Sequence, residues 1–262
     1  MRLLRASLRK LLRRPAARIT LIVLVLLLAL IYVSIGVSAQ ASPDDDTLDG
    51  VAAIVTFPEA YGNLASILVV FVGLGAAAFG ATVGGSEWSW STFRLAVARG
   101  ESRSRYVLLT YAGVAIVVLI GWLALFAVGV ALIPLGAALG GLAPGDPTDP
   151  DALGTLPLML AGGWWAVVME GAIGFAIAFI ARSQVAGIVA VIGLYLGEQF
   201  AAIALPAELL RLAPLAAASS LAAEAGRGAT TSDALVPLVM TTVYMGLAAV
   251  AVALYARRTE VA

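Results

Sequence analysis

Long apolar runs separated by short polar segments dominate this 262-residue chain. A bilayer core about 30 Å thick needs about 20 consecutive apolar residues per helix, which each run supplies or approaches. A transmembrane barrel would instead show short segments of alternating hydrophobicity, which are not seen here. The pattern predicts an all-α polytopic membrane protein with six transmembrane helices, the third of which ends at Pro134. The predicted spans cover residues 19–38, 64–83, 106–133, 156–181, 185–205 and 235–256.

The segment 1–18 is basic and amphipathic, and it carries seven of the sixteen Lys and Arg residues. It predicts an interfacial helix that lies on the membrane surface and turns into the first span at Pro15. A signal peptide is the alternative, because a basic start before an apolar run is also its pattern. The only cleavage-like stretch for that alternative is 38–41. One helical face of the segment is formed by Leu4, Leu8, Leu11 and Leu12.

Charge is distributed unevenly although the net charge is zero. With six spans, both termini share a side with the segments 84–105 and 182–184, and this side holds fourteen of the sixteen basic residues. Eleven of the sixteen acidic residues fall on the opposite side. Because basic residues in short loops stay in the cytoplasm, we expect both termini to be cytoplasmic in the cell's inner (plasma) membrane.

The segment 85–105 is a polar and basic island between the second and third spans. It contains four arginines, two glutamates and two tryptophans. Its apolar positions are typical of a short interfacial helix, with Gly100 as the stop signal. An ordinary cytoplasmic loop is the simpler alternative. The apolar positions are Trp90, Phe93, Leu95, Val97 and Ala98.

This island resembles the cytoplasmic loop of permease subunits in type-2 ATP-binding-cassette (ABC) exporters. The family pattern is Glu-aromatic-x-x-Gly-Thr-x-Arg, then a short apolar run, a basic residue, Pro or Gly, and Ser-Arg. The chain carries it as Glu87-Trp88, Ser91-Thr92-Phe93-Arg94, Ala98-Arg99-Gly100 and Ser102-Arg103. Ser91 stands where the family usually has Gly. The resemblance implies that 84–105 is a coupling loop driven by a separate ATPase, through Glu87, Trp88, Trp90, Thr92, Arg94, Arg99 and Arg103.

The resemblance also implies how the rest of the chain is organised. The segment 1–18 would be a connecting helix that rests on the ATPase, and 206–234 would hold an extracytoplasmic or partly re-entrant helix over 209–223. The expected partners are two copies of the ATPase, which bind MgATP, and a second permease subunit, as a homodimer or a related heterodimer. The cargo of such an exporter would be a hydrophobic or amphipathic drug, lipid or peptide.

Several kinds of chemistry are excluded by composition. The chain has no Cys and no His, which removes disulfides, thiolate and imidazole metal sites and serine–histidine catalysis. Its single lysine, Lys10, does not follow the Gly-rich loop that a Walker A site needs. Together with the resemblance, these exclusions lead us to expect a transport subunit that is not itself an enzyme and binds no metal or cofactor. Its surroundings would be membrane lipids rather than nucleic acid.

Two carboxylates, Glu170 and Glu198, lie inside the fourth and fifth spans. At 1.5 Å per residue both are about 18–21 Å from the hairpin turn at 182–184, so the sequence predicts similar depths. They are either buried interhelical contacts or part of a pathway that attracts cationic groups. The second interpretation supports an alternative function, a stand-alone ion-coupled carrier or channel. A membrane enzyme is a third alternative, but the loops lack a catalytic constellation.

Overall fold

Six long helices account for most of the structure, a computed structural model that describes residues 8, 11–12, 15–41, 45–227 and 232–259. All six are long and apolar enough to cross a membrane, so the predicted fold class and number of spans are confirmed. The described part of the chain is built of helices and loops without a strand. The long helices are α1 (Pro15–Ala41), α3 (Ala60–Ser89), α5 (Arg103–Gly140), α6 (Pro150–Ala181), α7 (Gln184–Ala204) and α10 (Ser232–Arg258).

Four shorter helices connect them: α2 (Asp45–Val55), α4 (Thr92–Ala98), α8 (Ala207–Leu210) and α9 (Pro214–Gly226). The sequence predicts one helical stretch over 209–223, where the structure has the separate helices α8 and α9. The break between α8 and α9 follows from Pro214, because the residue before a proline is driven to an extended conformation. Ala213 has such a conformation, with ψ near 147°. Most of the predicted N-terminal interfacial helix lies outside the described residues.

The prediction that Pro134 ends the third span is wrong, because α5 continues to Gly140. Neighbouring helices can compensate for the hydrogen bond that a proline removes inside a transmembrane helix. The helix stops instead at Gly141, which has a left-handed φ of 68°. The amide of Leu142 then donates to the carbonyl of Ala137 at 2.9 Å, a bond typical of glycine-terminated helices.

The centre of the bundle is the interface between α3 and α6. Within an 18-residue apolar stretch of each helix, 61% of the residues of α3 and 67% of those of α6 are buried, against 11% of those of α7. Glycines allow this close approach: a Cβ on Gly80 would overlap the carbonyl oxygen of Gly171, and one on Gly174 would overlap that of Ala77. The small residues of α3 therefore let this helix pack closely against α6.

The bundle has two chemically different ends. We call the end that contains α4, the turn at Arg182 and the C-terminus of α10 the basic end. The other, the acidic end, contains α2, the loop 141–149 and α8. There the amide of Phe57 donates to the carbonyl of Pro144 at 2.8 Å. The hydroxyl of Tyr61 donates to the carbonyl of Pro147 at 2.9 Å, which fixes the loop on α3.

Candidate functional site

The first candidate site is the helical corner α3–α4–α5 at the basic end, formed by the segment that the sequence analysis singled out. Helix α3 ends at Ser89, and α4 begins three residues later. The turn between them requires a left-handed residue, and Ser91 adopts φ 55° and ψ 19°. The tight turn therefore exists although the family glycine is absent. An L-residue in this conformation is strained by about 1–2 kcal/mol.

Helix α4 ends at the predicted stop signal. Gly100 has a φ of 87°, and its amide donates to the carbonyl of Val97 at 2.9 Å. The amide of Glu101 donates to the carbonyl of Ala96 at 3.2 Å. These two bonds form a Schellman motif, which closes the C-terminus of a helix. The sequence thus predicted both the short helix and its end.

Glu87 joins the three helices of the corner. It belongs to the last turn of α3 and is 1% exposed. Its Oε2 accepts hydrogen bonds from the hydroxyls of Thr92 on α4 and Tyr106 on α5, both at 2.7 Å. Hydrogen bonds to a charged group contribute about 1.5–3 kcal/mol each. A movement of α4 is therefore coupled to both flanking transmembrane helices.

An aromatic cluster holds the inner face of the corner. The indole of Trp88 donates to the carbonyl of Phe179, near the end of α6, at 2.8 Å. The Trp88 ring also packs 5.1 Å from Phe93 and 5.3 Å from Phe179, measured between ring centroids. The guanidinium carbon of Arg182 lies 4.4 Å from the Trp88 ring centroid, within cation–π range. This cluster, which we define as Trp88, Phe93, Phe179 and Tyr255, connects α3 and α4 to α6 and α10.

The outer face of α4 is open. Arg94, Leu95 and Arg99 are exposed, whereas Phe93 on the inner face is fully buried. No ion pair joins Glu87 to Arg94, two residues that the structure describes. The open face is basic with an apolar residue at its centre, so it can receive an acidic or amphipathic surface of another protein.

The structure places the seven predicted coupling residues in different environments. Trp88 is buried and Trp90 is 56% exposed, so only Trp90 is placed to lie at an interface. Arg103 binds the end of α10: its Nη1 donates to the carbonyl of Thr259 at 2.7 Å, just past that helix. A cation there complements the partial negative charge of a helix C-terminus. The sequence reasoning missed the roles of Tyr106, Phe179 and Tyr255, which come from distant parts of the chain.

The second candidate site surrounds Glu170 on α6. This residue is 3% exposed and accepts a hydrogen bond from the hydroxyl of Tyr195 on α7. Its carboxyl group rests on Gly73 of α3: a Cβ built there would lie 2.6 Å from Cδ of Glu170. The site joins three helices, and only a glycine leaves room for the carboxyl group.

Glu198 lies one turn further along α7 than Tyr195, the residue that donates to Glu170. Its oxygens accept from the backbone amides of Leu215 and Ala216, both at 3.0 Å. These amides belong to the first turn of α9, where a carboxylate is stabilised by the helix dipole. Glu198 therefore binds the N-terminus of α9 and does not contact Glu170 directly. Since Glu198 is six residues before the end of α7, α9 begins about 9 Å inside that end.

Helix α9 returns into the bundle and packs on α6. A Cβ on Gly162 would lie 2.7 Å from the Cβ of Ala225 near the end of α9. The hydroxyl of Tyr244 on α10 donates to the carbonyl of Leu212 at 2.7 Å, just before α9.

In the described residues, no group of three or more acidic side chains is arranged to hold a metal ion. No protein-family model matches the chain, and a search of curated proteins found no match either.

Proposed function

We propose that the chain is the permease subunit of an ABC transporter that exports a hydrophobic or amphipathic compound. Each complex would contain two copies of a separate ATPase, which binds MgATP. A second permease subunit would complete the pathway. In this proposal the basic end faces the cytoplasm of a cell whose inner membrane holds the bundle. The proposal uses the loop resemblance together with the geometry of the corner.

The observation that carries the proposal is how α4 is attached. Its outer face, with Arg94 and Arg99, is exposed, while its inner side is bound to α5 through Glu87 and to α6 and α10 through the aromatic cluster. Aromatic pairs contribute about 0.5–1.5 kcal/mol each beyond their buried area. A short helix with this attachment would transmit a push from a partner protein to several transmembrane helices as one unit.

The re-entrant α9 gives further support. The resemblance implies a helix between the last two spans on the extracytoplasmic side, and α9 lies between α7 and α10 and turns back into the bundle. Its apolar residues pack on α6 rather than in a separate domain.

The first test is purification of the tagged full-length chain from its own membranes. We expect a protein with a Walker A motif to be purified with it. Arg94→Ala then removes an exposed cation from the outer face of α4 without disturbing the buried side. Exposed ion pairs contribute about 0.2–1 kcal/mol, so we expect a loss of up to about five-fold in the affinity of the chain for the ATPase.

The matched control is Arg211→Ala, which removes an exposed arginine at the opposite end. It should leave ATPase association and substrate-stimulated ATP hydrolysis unchanged. Glu87→Gln tests the buried side: we expect the complex to assemble but substrate to stimulate hydrolysis less. Equal assembly and equal stimulation in Arg94→Ala, Glu87→Gln and the parent would contradict the proposal.

One observation favours a second function, that of an ion-coupled carrier. Glu170 is a buried carboxylic acid in a transmembrane helix, and such residues often mark cation or proton paths. Glu170→Gln and Glu198→Gln test whether these carboxylates take part in transport, which the carrier function requires. If export of cationic compounds falls while that of neutral compounds is kept, the carboxylates line a pathway. If both compound classes are exported as by the parent, the two residues are structural contacts.

A further inference from the structure

An apolar groove of about 170 Å³ opens on the side of the bundle between α1, α3 and α5. Among the described side chains that line it, all except those of Arg18 and Thr20 are apolar. The glycine at position 121 lies on its wall, and a Cβ there would meet no atom within 4 Å. The groove is therefore open space in the protein surface rather than a gap between tightly packed helices. Its apolar walls include Leu21, Leu24, Val72, Phe79 and Ala124.

The groove continues along α1 and α3. A much narrower crevice, of about 10 Å³, shares Leu24 and Val72 with it and extends to Leu28 and Ile31. From Arg18 to Ile31 the path follows thirteen residues of α1, which is about 20 Å at the rise of an α-helix. One leaflet of a bilayer core is about 15 Å deep. The groove and the crevice together are longer than one leaflet is deep, and the open apolar groove next to Arg18 is the wide part that an acyl chain would enter.

Arg18, in the first turn of α1, lies at the charged end of the groove. Its side chain is exposed at the rim of the groove, beside Leu12 and Ala17. Among the described residues, no carboxylate forms an ion pair with it. A guanidinium at this position can bind a phosphate through two parallel hydrogen bonds. An arginine above an apolar groove matches an amphiphile with an anionic head.

We propose that the groove binds one acyl chain of an anionic phospholipid, with the phosphate at Arg18. The lipid comes from the leaflet at the basic end, because α1 begins on that side. The inference rests on the groove and on Arg18 and holds whether or not an ATPase drives the protein. It also assigns a role to a basic residue that the coupling loop does not use.

The chain has no cysteine, so a single introduced thiol reports on one position. We compare Gly121→Cys in the groove with Gly246→Cys on α10, where a Cβ also meets no atom within 4 Å. Full-length protein in mild detergent is labelled with a maleimide while phosphatidylglycerol is added. Labelling of the Gly121→Cys variant should slow about ten-fold once the lipid reaches about nine times its Kd, whereas labelling of the Gly246→Cys variant should not. Equal protection at both positions, or at neither, would overturn the proposal.

The role of Arg18 is tested by headgroup preference. We expect the parent to be protected by phosphatidylglycerol at lower concentration than by phosphatidylcholine, which carries no net charge. Arg18→Gln should reduce that preference about five-fold, the contribution of one basic side chain next to an anionic lipid. Arg211→Gln, which removes an exposed arginine far from the groove, should leave the preference intact. An unchanged preference in Arg18→Gln would place the headgroup elsewhere and refute the site as proposed.

Discussion

Gly73 and Glu170 form a pair whose coupling can be worked out from the structure. In Gly73→Ala, the three atoms nearest to the new Cβ all belong to the carboxyl group of Glu170. That group can move only by giving up the hydrogen bond from Tyr195, because it is almost fully buried. The alternative is that α3 moves away from α6, which disturbs the glycine-rich interface.

The two routes have similar energies. An unsatisfied buried partner costs about 1–3 kcal/mol, and overpacking a core typically costs about 1–3 kcal/mol. Against this, alanine is more favourable than glycine inside a helix by about 1 kcal/mol. We expect Gly73→Ala to lower the free energy of unfolding by about 1–2 kcal/mol.

In the Glu170→Ala background the obstacle is absent. Gly73→Ala should then be neutral or stabilise the protein by up to about 1 kcal/mol. We therefore expect a coupling energy of about 2 kcal/mol between the two positions in a double-mutant cycle. The loss of the partner of Tyr195 cancels, because both proteins in the Glu170→Ala background have lost it.

The free energies are measured by tryptophan fluorescence during denaturant titration in mixed micelles. Gly193→Ala on α7 is the matched control, since a Cβ there meets no atom within 4 Å; it should not be destabilising in either background. Additivity of the two substitutions within about 0.5 kcal/mol would refute the described packing of the carboxyl group on Gly73.

Three further substitutions test other parts of the structure. Ser91→Gly should raise the thermal unfolding midpoint, because relief of about 1–2 kcal/mol of left-handed strain exceeds the added chain entropy; a lower midpoint would contradict the φ of 55°. Tyr106→Phe removes one donor to Glu87 and should destabilise the protein by about 1–3 kcal/mol. Tyr111→Phe on the same helix is the control, because its buried hydroxyl has no hydrogen-bond partner among the described residues; a loss of the same size there would show that the effect is not specific to the bond to Glu87. Glu198→Gln removes a carboxylate whose interaction with the start of α9 contributes about 0.3–2 kcal/mol. Amide hydrogen exchange in the first turn of α9 should therefore become faster, and unchanged exchange would show that Glu198 does not hold this helix.

The short helix of the first candidate site and its end could be predicted, because both depend on residues that are close together in the sequence. Gly100 ends α4 since glycine adopts a left-handed φ without strain, and this property is legible in the sequence alone. The turn at Ser91 was less certain from sequence, because serine gives no comparable signal. Its conformation is imposed by the position of Thr92 against Glu87 and of Phe93 in the aromatic cluster. Local preference was overridden there by contacts from other helices.

The sequence by itself determined the six spans, the all-α class and the uneven distribution of charge, because membrane thickness and the avoidance of charge in lipid act on short consecutive segments. Only the tertiary structure decided the partners: Trp88 and Phe179 are 91 residues apart in the chain, and Tyr106 reaches Glu87 across 19. It also turned Glu198 toward the start of α9 and left Glu170 facing Gly73 and Tyr195. Such pairings depend on how helices rotate and cross, which is set by packing summed over whole interfaces rather than by any local pattern of residues.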